Sequence, residues 1–116
     1  MGIFRAYDIR GIYGEDLNEK IAEEIGKGFG TFIGKGKTVA VGRDIRVHGK
    51  SLKDALVSGI VSTGCNVLDF GEVPSPVLYF AVPHKKLDGG VVVTASHLAP
   101  EWNGFKFCNS KGLVIS

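Results

Sequence analysis

Three features are scarce in this 116-residue sequence: long apolar runs, cysteines, and an excess of one charge. With no stretch near the ~20 apolar residues of a membrane span, no membrane partner is expected. The first residues also lack the charged-then-apolar layout of a secretory leader, which makes the cytoplasm the expected compartment. Cys65 and Cys108 lie far apart with no second Cys or His at ligand spacing, which argues against a metal or redox site. They read as reduced, half-buried thiols. A formal charge of +2, from 14 dispersed Lys and Arg against 12 Asp and Glu, gives no basis for a nucleic-acid partner and mildly favours anionic substrates. Aspartates are not clustered either. Asp8, Asp44, Asp54, Asp69 and Asp88 stand alone, and each reads as a cap, turn or salt-bridge residue, with Asp44 a loop brace.

What is present fits one soluble globular domain spanning 1–116, with 44% hydrophobic and 22% charged residues and no repeat or low-complexity tract. Leu17, Ile21, Ile25, Phe29 and Phe32 recur at helical spacing behind an Asp16/Glu19 capping box, predicting a helix over about Asp16 to Ile33. Gly26, Gly28 and Gly30 inside it cost roughly 1 kcal/mol each against Ala. Their presence predicts a closely approaching neighbour. Thr38 to Val41 reads as a strand broken by Gly42-Arg43-Asp44, and Leu52 to Thr63 as a helix closed by Gly64. Asn66 to Phe70 is a second strand, and Ser75 caps a short third helix with Pro76 in its first turn.

Val91 to Ala95 is apolar on both faces, hence a central strand covered on both sides, which runs into a loop over Ser96 to Asn103. Phe105 to Cys108 and Leu113 to Ile115, around Asn109 to Gly112, form a C-terminal antiparallel hairpin. Together these elements predict an α/β, three-layer αβα domain with a mostly parallel mixed sheet.

Ligands in such sheets collect beyond the carboxyl ends of the strands. Two segments imitate the end of a phosphate-binding P-loop, Gly36-Lys37-Thr38 and Gly49-Lys50-Ser51. The glycine this motif needs falls on Thr31 and Asp44, so neither passes. The informative loop is Thr94-Ala95-Ser96-His97, with Lys106 on the return strand. A hydroxyl at the end of a buried strand, beside an imidazole and within reach of cations, is what a covalent phosphoryl carrier requires. On the residues alone, a Ser-His turn remains the competing reading.

Phe4-Arg5-Ala6-Tyr7-Asp8-Ile9-Arg10-Gly11, Val41-Gly42-Arg43-Asp44-Ile45-Arg46, Ser58 to Gly71, and Thr94-Ala95-Ser96-His97 with Asn103-Gly104-Phe105-Lys106 are ordered along nearly the whole chain. Together they resemble the first domain of the α-D-phosphohexomutases, in the phosphomannomutase/phosphoglucomutase branch. The resemblance implies that Ser96 is a phosphoserine and that Tyr7, Arg10, His97 and Lys106 line the site. Arg10 and Lys106 would act on phosphoryl charge, and His97 would move or position a proton. It further implies Mg2+ held in part by the Ser96 phosphate, a hexose bisphosphate as activator and intermediate, a hexose phosphate substrate, and further domains carrying the other metal ligands and the sugar-selecting residues.

In the family Asn-Pro usually follows Ser-His; here Leu98-Ala99 stands instead, which loosens the loop. Arg43 and Arg46 read as braces of that loop, and Trp102 as its anchor against the hairpin. His48 and His84 read as solvated. On this reading the isolated chain folds without mutase turnover. Two alternatives stay open: a non-catalytic phosphate- or nucleotide-binding module using Gly42 to Ser51, and a self-associating domain fragment.

Overall fold

Five strands and three helices follow in the order β1 (Asp8–Ile12), α1 (Glu19–Ile33), β2 (Thr38–Arg43), α2 (Gly49–Ser62), β3 (Asn66–Glu72), α3 (Ser75–His84), β4 (Gly89–Val93) and β5 (Trp102–Asn109). The computed structural model describes residues 8–46, 48–94 and 102–115. The strands form one sheet in the order β1-β5-β4-β2-β3. β2 pairs in parallel with β3 and β4, while β5 is antiparallel to both β4 and β1. β1 therefore runs the same way as β2, β3 and β4, and β5 alone is reversed. This is the mostly parallel mixed sheet expected from the sequence.

β4 lies in the middle of the sheet and is buried along its whole length. Alternate residues of it face opposite layers. Val91 and Val93 join Val39 and Val41 of β2, Phe29 of α1, and Leu52, Leu56 and Ile60 of α2. Val92 joins Ala40 of β2, Cys108 of β5, and Leu78 and Val82 of α3. Each fully buried Val, Leu or Ile side chain among them is worth about 1.5–3 kcal/mol, and β4 contributes to both clusters.

α1 and α2 cross closely. A Cβ on Gly26 would run into the carbonyl oxygen of Leu56, and one on Gly59 into that of Glu23. Gly30 meets the Thr63 hydroxyl in the same way. The close approach inferred from the helix glycines thus holds at Gly26 and Gly30. Gly28 departs from it, with nothing within 4 Å of the atom that would be added.

Local expectations are corrected at several points. The cap of α1 is Asn18, whose Oδ1 accepts from the Ile21 N–H at 2.9 Å; Asp16 instead accepts from the Ile12 N–H at 3.1 Å and closes the preceding turn. Asn18 wins because it directly precedes the first helical residue, where its short side chain reaches a free N–H. Ser75 is likewise the first helical residue of α3, behind Pro74, and makes no cap bond. β2 continues through Gly42 and Arg43, because both of its neighbours keep pairing there.

β1 forms a strand at Asp8–Ile12, where the sequence carries no strand pattern, and β5 already begins at Trp102. After the turn at Ser110–Gly112, the return limb of the hairpin meets β5 through the Cys108–Val114 bridge and an Ile115 N–H bond to the Phe107 carbonyl at 2.9 Å. Both cysteines are free and fully buried, not half-buried. Among the described residues no helix is long and apolar enough to cross a membrane.

Candidate active site

The strand ends gather at one edge. β2 stops at Arg43, β4 at Val93 and β3 at Glu72; β1 stops at Ile12, which lies opposite Trp102 at the start of β5. Thr94, the next residue after β4, is buried and held on both sides. Its N–H donates to the Gly104 carbonyl of β5 at 2.8 Å, and its Oγ1 donates to Asp44 Oδ2 at 2.7 Å. The Asp44 N–H in turn donates to the Val93 carbonyl at 3.1 Å.

The arginines of the first loop act as braces. The Arg46 N–H and Nε donate to Asp44 Oδ1 and Oδ2 at 3.0 and 3.1 Å. Arg43 Nη1 donates to the Asp44 carbonyl at 3.1 Å, and Nη2 pairs with Glu72 at 3.3 Å. The expected loop-brace role of Asp44 is thus realised.

The register brings two of the anticipated site positions together. Lys106 lies in β5 between Val92 of β4 and Asp8 of β1, and Arg10 of β1 lies opposite Gly104, two residues along β5 from Lys106. Lys106 is half-buried. Among the described residues its ammonium has no ion-pair or hydrogen-bond partner. Asn103 is buried, and its Oδ1 accepts from the Gly104 N–H at 2.9 Å. Tyr7, Ser96 and His97 lie outside the described residues; Ser96 follows Thr94 by two positions in the chain. For Trp102, the start of β5 replaces the expected loop position.

A second cluster at this edge was not foreseen. The Tyr13 and His48 rings stack, the Tyr13 hydroxyl donates to Glu19 Oε2 at 2.6 Å, and Ser51 Oγ donates to the same oxygen at 2.8 Å. These bonds, that from Tyr13 first, hold the Glu19 carboxyl below its ordinary range, while the Tyr13 phenol is raised by its bond to Glu19. His48 is accordingly half-buried, not solvated. The P-loop imitation at the start of α2 is occupied internally: Lys50 pairs with Asp54 at 3.0 Å, and Ser51 holds Glu19.

Asp44, Asp54, Asp69 and Asp88 each have structural partners. Asp88 accepts from the Thr38 N–H at 2.9 Å, and Asp69 and Asp54 pair with the buried Lys53. Among the described residues no group of three or more His, Cys, Asp or Glu converges. Asp44, the carboxylate nearest the end of β4 in this network, is already engaged by Thr94 and Arg46.

A family model described as "Phosphoglucomutase/phosphomannomutase, alpha/beta/alpha domain I" matches residues 1–116. The chain belongs to this family. A phosphoglucomutase/phosphomannomutase of Thermococcus kodakarensis is 45% identical over 97% of the chain and 26% of its own length. An Escherichia coli phosphomannomutase is 47% identical over 97% of the chain and 25% of its own. The crystal structure of a phosphoglucomutase/phosphomannomutase family protein from Burkholderia thailandensis superposes with a TM-score of 0.88 at 38% identity, covering 97% of this chain and 27% of that one. The chain thus spans about a quarter of the length of these relatives. For a phosphoglucomutase/phosphomannomutase domain I, the site edge described here presents a buried strand end, a braced first loop, and a half-buried lysine on the adjoining reversed strand.

Proposed function

We propose that this chain is the nucleophile-bearing domain of a phosphohexomutase that interconverts the 1- and 6-phosphates of mannose or glucose through a phosphoserine at Ser96. The phosphoryl group leaves the Ser96 oxygen and bonds to a free hydroxyl oxygen of a hexose monophosphate. The P–O bond to serine breaks, and the sugar proton passes to a neighbouring base, for which His97 is the candidate. The resulting bisphosphate then returns its other phosphoryl group to Ser96, and the proton passes back. Such transfer depends on positioning and on cations facing the phosphoryl oxygens.

Arg10 and Lys106 are assigned that electrostatic role, and Tyr7 a place in the lining. The observation that supports the reading is the half-buried Lys106 in the strand beside β4, the central strand, which ends three residues before Ser96 in the sequence. Bound Mg2+ would supply further charge stabilisation to the phosphoryl group. Beyond the Ser96 phosphate, its ligands are assigned to the further domains of a longer enzyme, as are the residues that select the sugar. A hexose bisphosphate would serve to phosphorylate Ser96. No observation favours the phosphate-module alternative, since Lys50 and Ser51 are committed to Asp54 and Glu19.

The test is peptide mass spectrometry of the full-length protein after incubation with a hexose 1,6-bisphosphate. One phosphate on the peptide containing Ser96, absent in Ser96→Ala, is the expected result, with turnover lost by roughly 10³-fold or more in that variant. A phosphate carried on another residue overturns the reading.

A further inference from the structure

Asp44 does more than close its own turn. An aspartate that only shaped the loop would need the bond from the Arg46 N–H two residues on, and no other. Here the same carboxylate also takes the hydroxyl of Thr94, 50 residues later in the chain, and the Arg46 Nε. Both oxygens are used, and Thr94 itself is 6% exposed. The bond from Thr94 is a short hydroxyl-to-carboxylate contact of the stronger, charge-assisted kind. With the Asp44 N–H on the Val93 carbonyl and the Thr94 N–H on the Gly104 carbonyl, the last two positions before Ala95 are fixed from β2's side and from β5's side at once. The Arg46 guanidinium is held to the same carboxylate, with 12% of its side chain exposed.

We propose that Asp44 is a positioning residue for phosphoryl transfer, acting through Thr94 to fix the direction in which the chain leaves β4 toward Ser96. The inference rests on the phosphoserine reading above. Ser96 is two residues past Thr94, so rotation at Thr94 displaces the nucleophile, and a misplacement of about 1 Å at a reacting atom costs on the order of 10²-fold in rate. The sequence adds a reason for an external clamp: the two positions directly after Ser96-His97 are Leu98 and Ala99, and the first ring that fixes the backbone comes only at Pro100. The clamp acts on geometry rather than on substrate affinity.

The experiment compares Thr94→Val, Thr94→Ser and Asp44→Asn in the full-length protein by kcat, KM for hexose monophosphate, and phosphate content of Ser96 by mass spectrometry. Thr94→Val removes the hydroxyl with little change of shape, while Thr94→Ser keeps it. The expected result is a kcat lowered about 10- to 100-fold in Thr94→Val and Asp44→Asn, KM within about twofold of the unsubstituted protein, and Thr94→Ser within about threefold in kcat. If Asp44→Asn fails to fold, the Thr94 pair carries the test.

A kcat unchanged in Thr94→Val overturns the proposal, as does a KM that rises while kcat holds, or a Thr94→Ser variant as slow as Thr94→Val. In each of those cases, phosphate on Ser96 of the unsubstituted protein leaves the parent reading standing. Absence of phosphate from Ser96 in that protein removes both.

Discussion

The ring of Tyr13 lies flat on that of His48, with centroids 3.7 Å apart and planes inclined by 7°, and its hydroxyl reaches Glu19. The contact ties the end of β1 to the start of both α1 and α2, three elements that no local sequence signal connects. Because the Tyr13 and Ser51 hydroxyls favour the ionised Glu19, the folded carboxyl sits below its ordinary value of 4.5. The associated stabilisation is fully present above that value and is lost as pH falls through the lower folded one. Tyr13, raised above 10.0, contributes stability that is present below that value and is lost as pH rises through the folded one.

Urea unfolding between pH 6 and pH 3 should therefore show a steeper acid loss in the native chain than in Glu19→Gln. Tyr13→Phe, which keeps the stack and removes the bond, should cost about 1 kcal/mol at neutral pH. Equal acid slopes for the native chain and Glu19→Gln would remove the assignment.

The helix crossing gives a contrast within one helix. Gly26→Ala places a methyl group against the Leu56 carbonyl and should destabilise by about 1–3 kcal/mol, as overpacking does where backbone cannot move aside. Gly28→Ala, in open space on the same helix, should stabilise by about 0.4–1 kcal/mol through propensity and a less free unfolded chain. Thermal melting of the two variants checks this; a shared sign for both would refute the crossing geometry.

That contrast also marks the limit of what the sequence makes legible. Helix glycines announce a close neighbour, yet the pattern does not say that Gly26 faces it and Gly28 does not. The helices, β2 and β4 are legible because each buries a periodic or continuous apolar face, while β3, an edge strand with no fully buried residue, is marked only by Val67, Leu68 and Phe70. β1 is not legible, because Asp8-Ile9-Arg10-Gly11-Ile12 carries two charges and a glycine, and becomes a strand by pairing with β5.

At the site, the Ser96 loop and Lys106 stand out by motif. Asp44 reads as a brace, but its partner Thr94 is 50 residues away, and only the parallel pairing of β2 with β4 brings the two together. The stack of Tyr13 on His48 was illegible for the same reason.

The thiols make a chemical prediction. Burial pushes the Cys108 thiol up to about 11, so little thiolate exists near neutral pH. Cys65 is buried too, and its sulfur donates to the Gly30 and Gly34 carbonyls. A disulfide reagent at pH 8 should label neither residue in the folded chain and both after denaturation. Rapid labelling of Cys108 in the native state would contradict its placement in the α3 layer.

Lys106 offers the sharpest separation of chemistry from fold. It is half-buried beside the central strand, and among the described residues no carboxylate neutralises it. A cation so placed contributes little to stability by pairing, so its removal should leave folding largely intact: Lys106→Met keeps an unbranched aliphatic chain and discards the charge. If the ammonium faces the transferring phosphoryl group of the proposed reaction, the full-length protein should lose about 10²–10³-fold in kcat, the scale of one preorganised electrostatic group.

Lys106→Arg should recover only part of the rate, because a planar fork replaces a compact point charge. The melting temperature of Lys106→Met should stay within a few degrees of the native value, roughly the effect of 1 kcal/mol in a domain of this size. Full activity in Lys106→Met would detach this residue from the phosphoryl group, and a rate loss matched by a collapse in melting temperature would make it a residue of the fold rather than of the reaction.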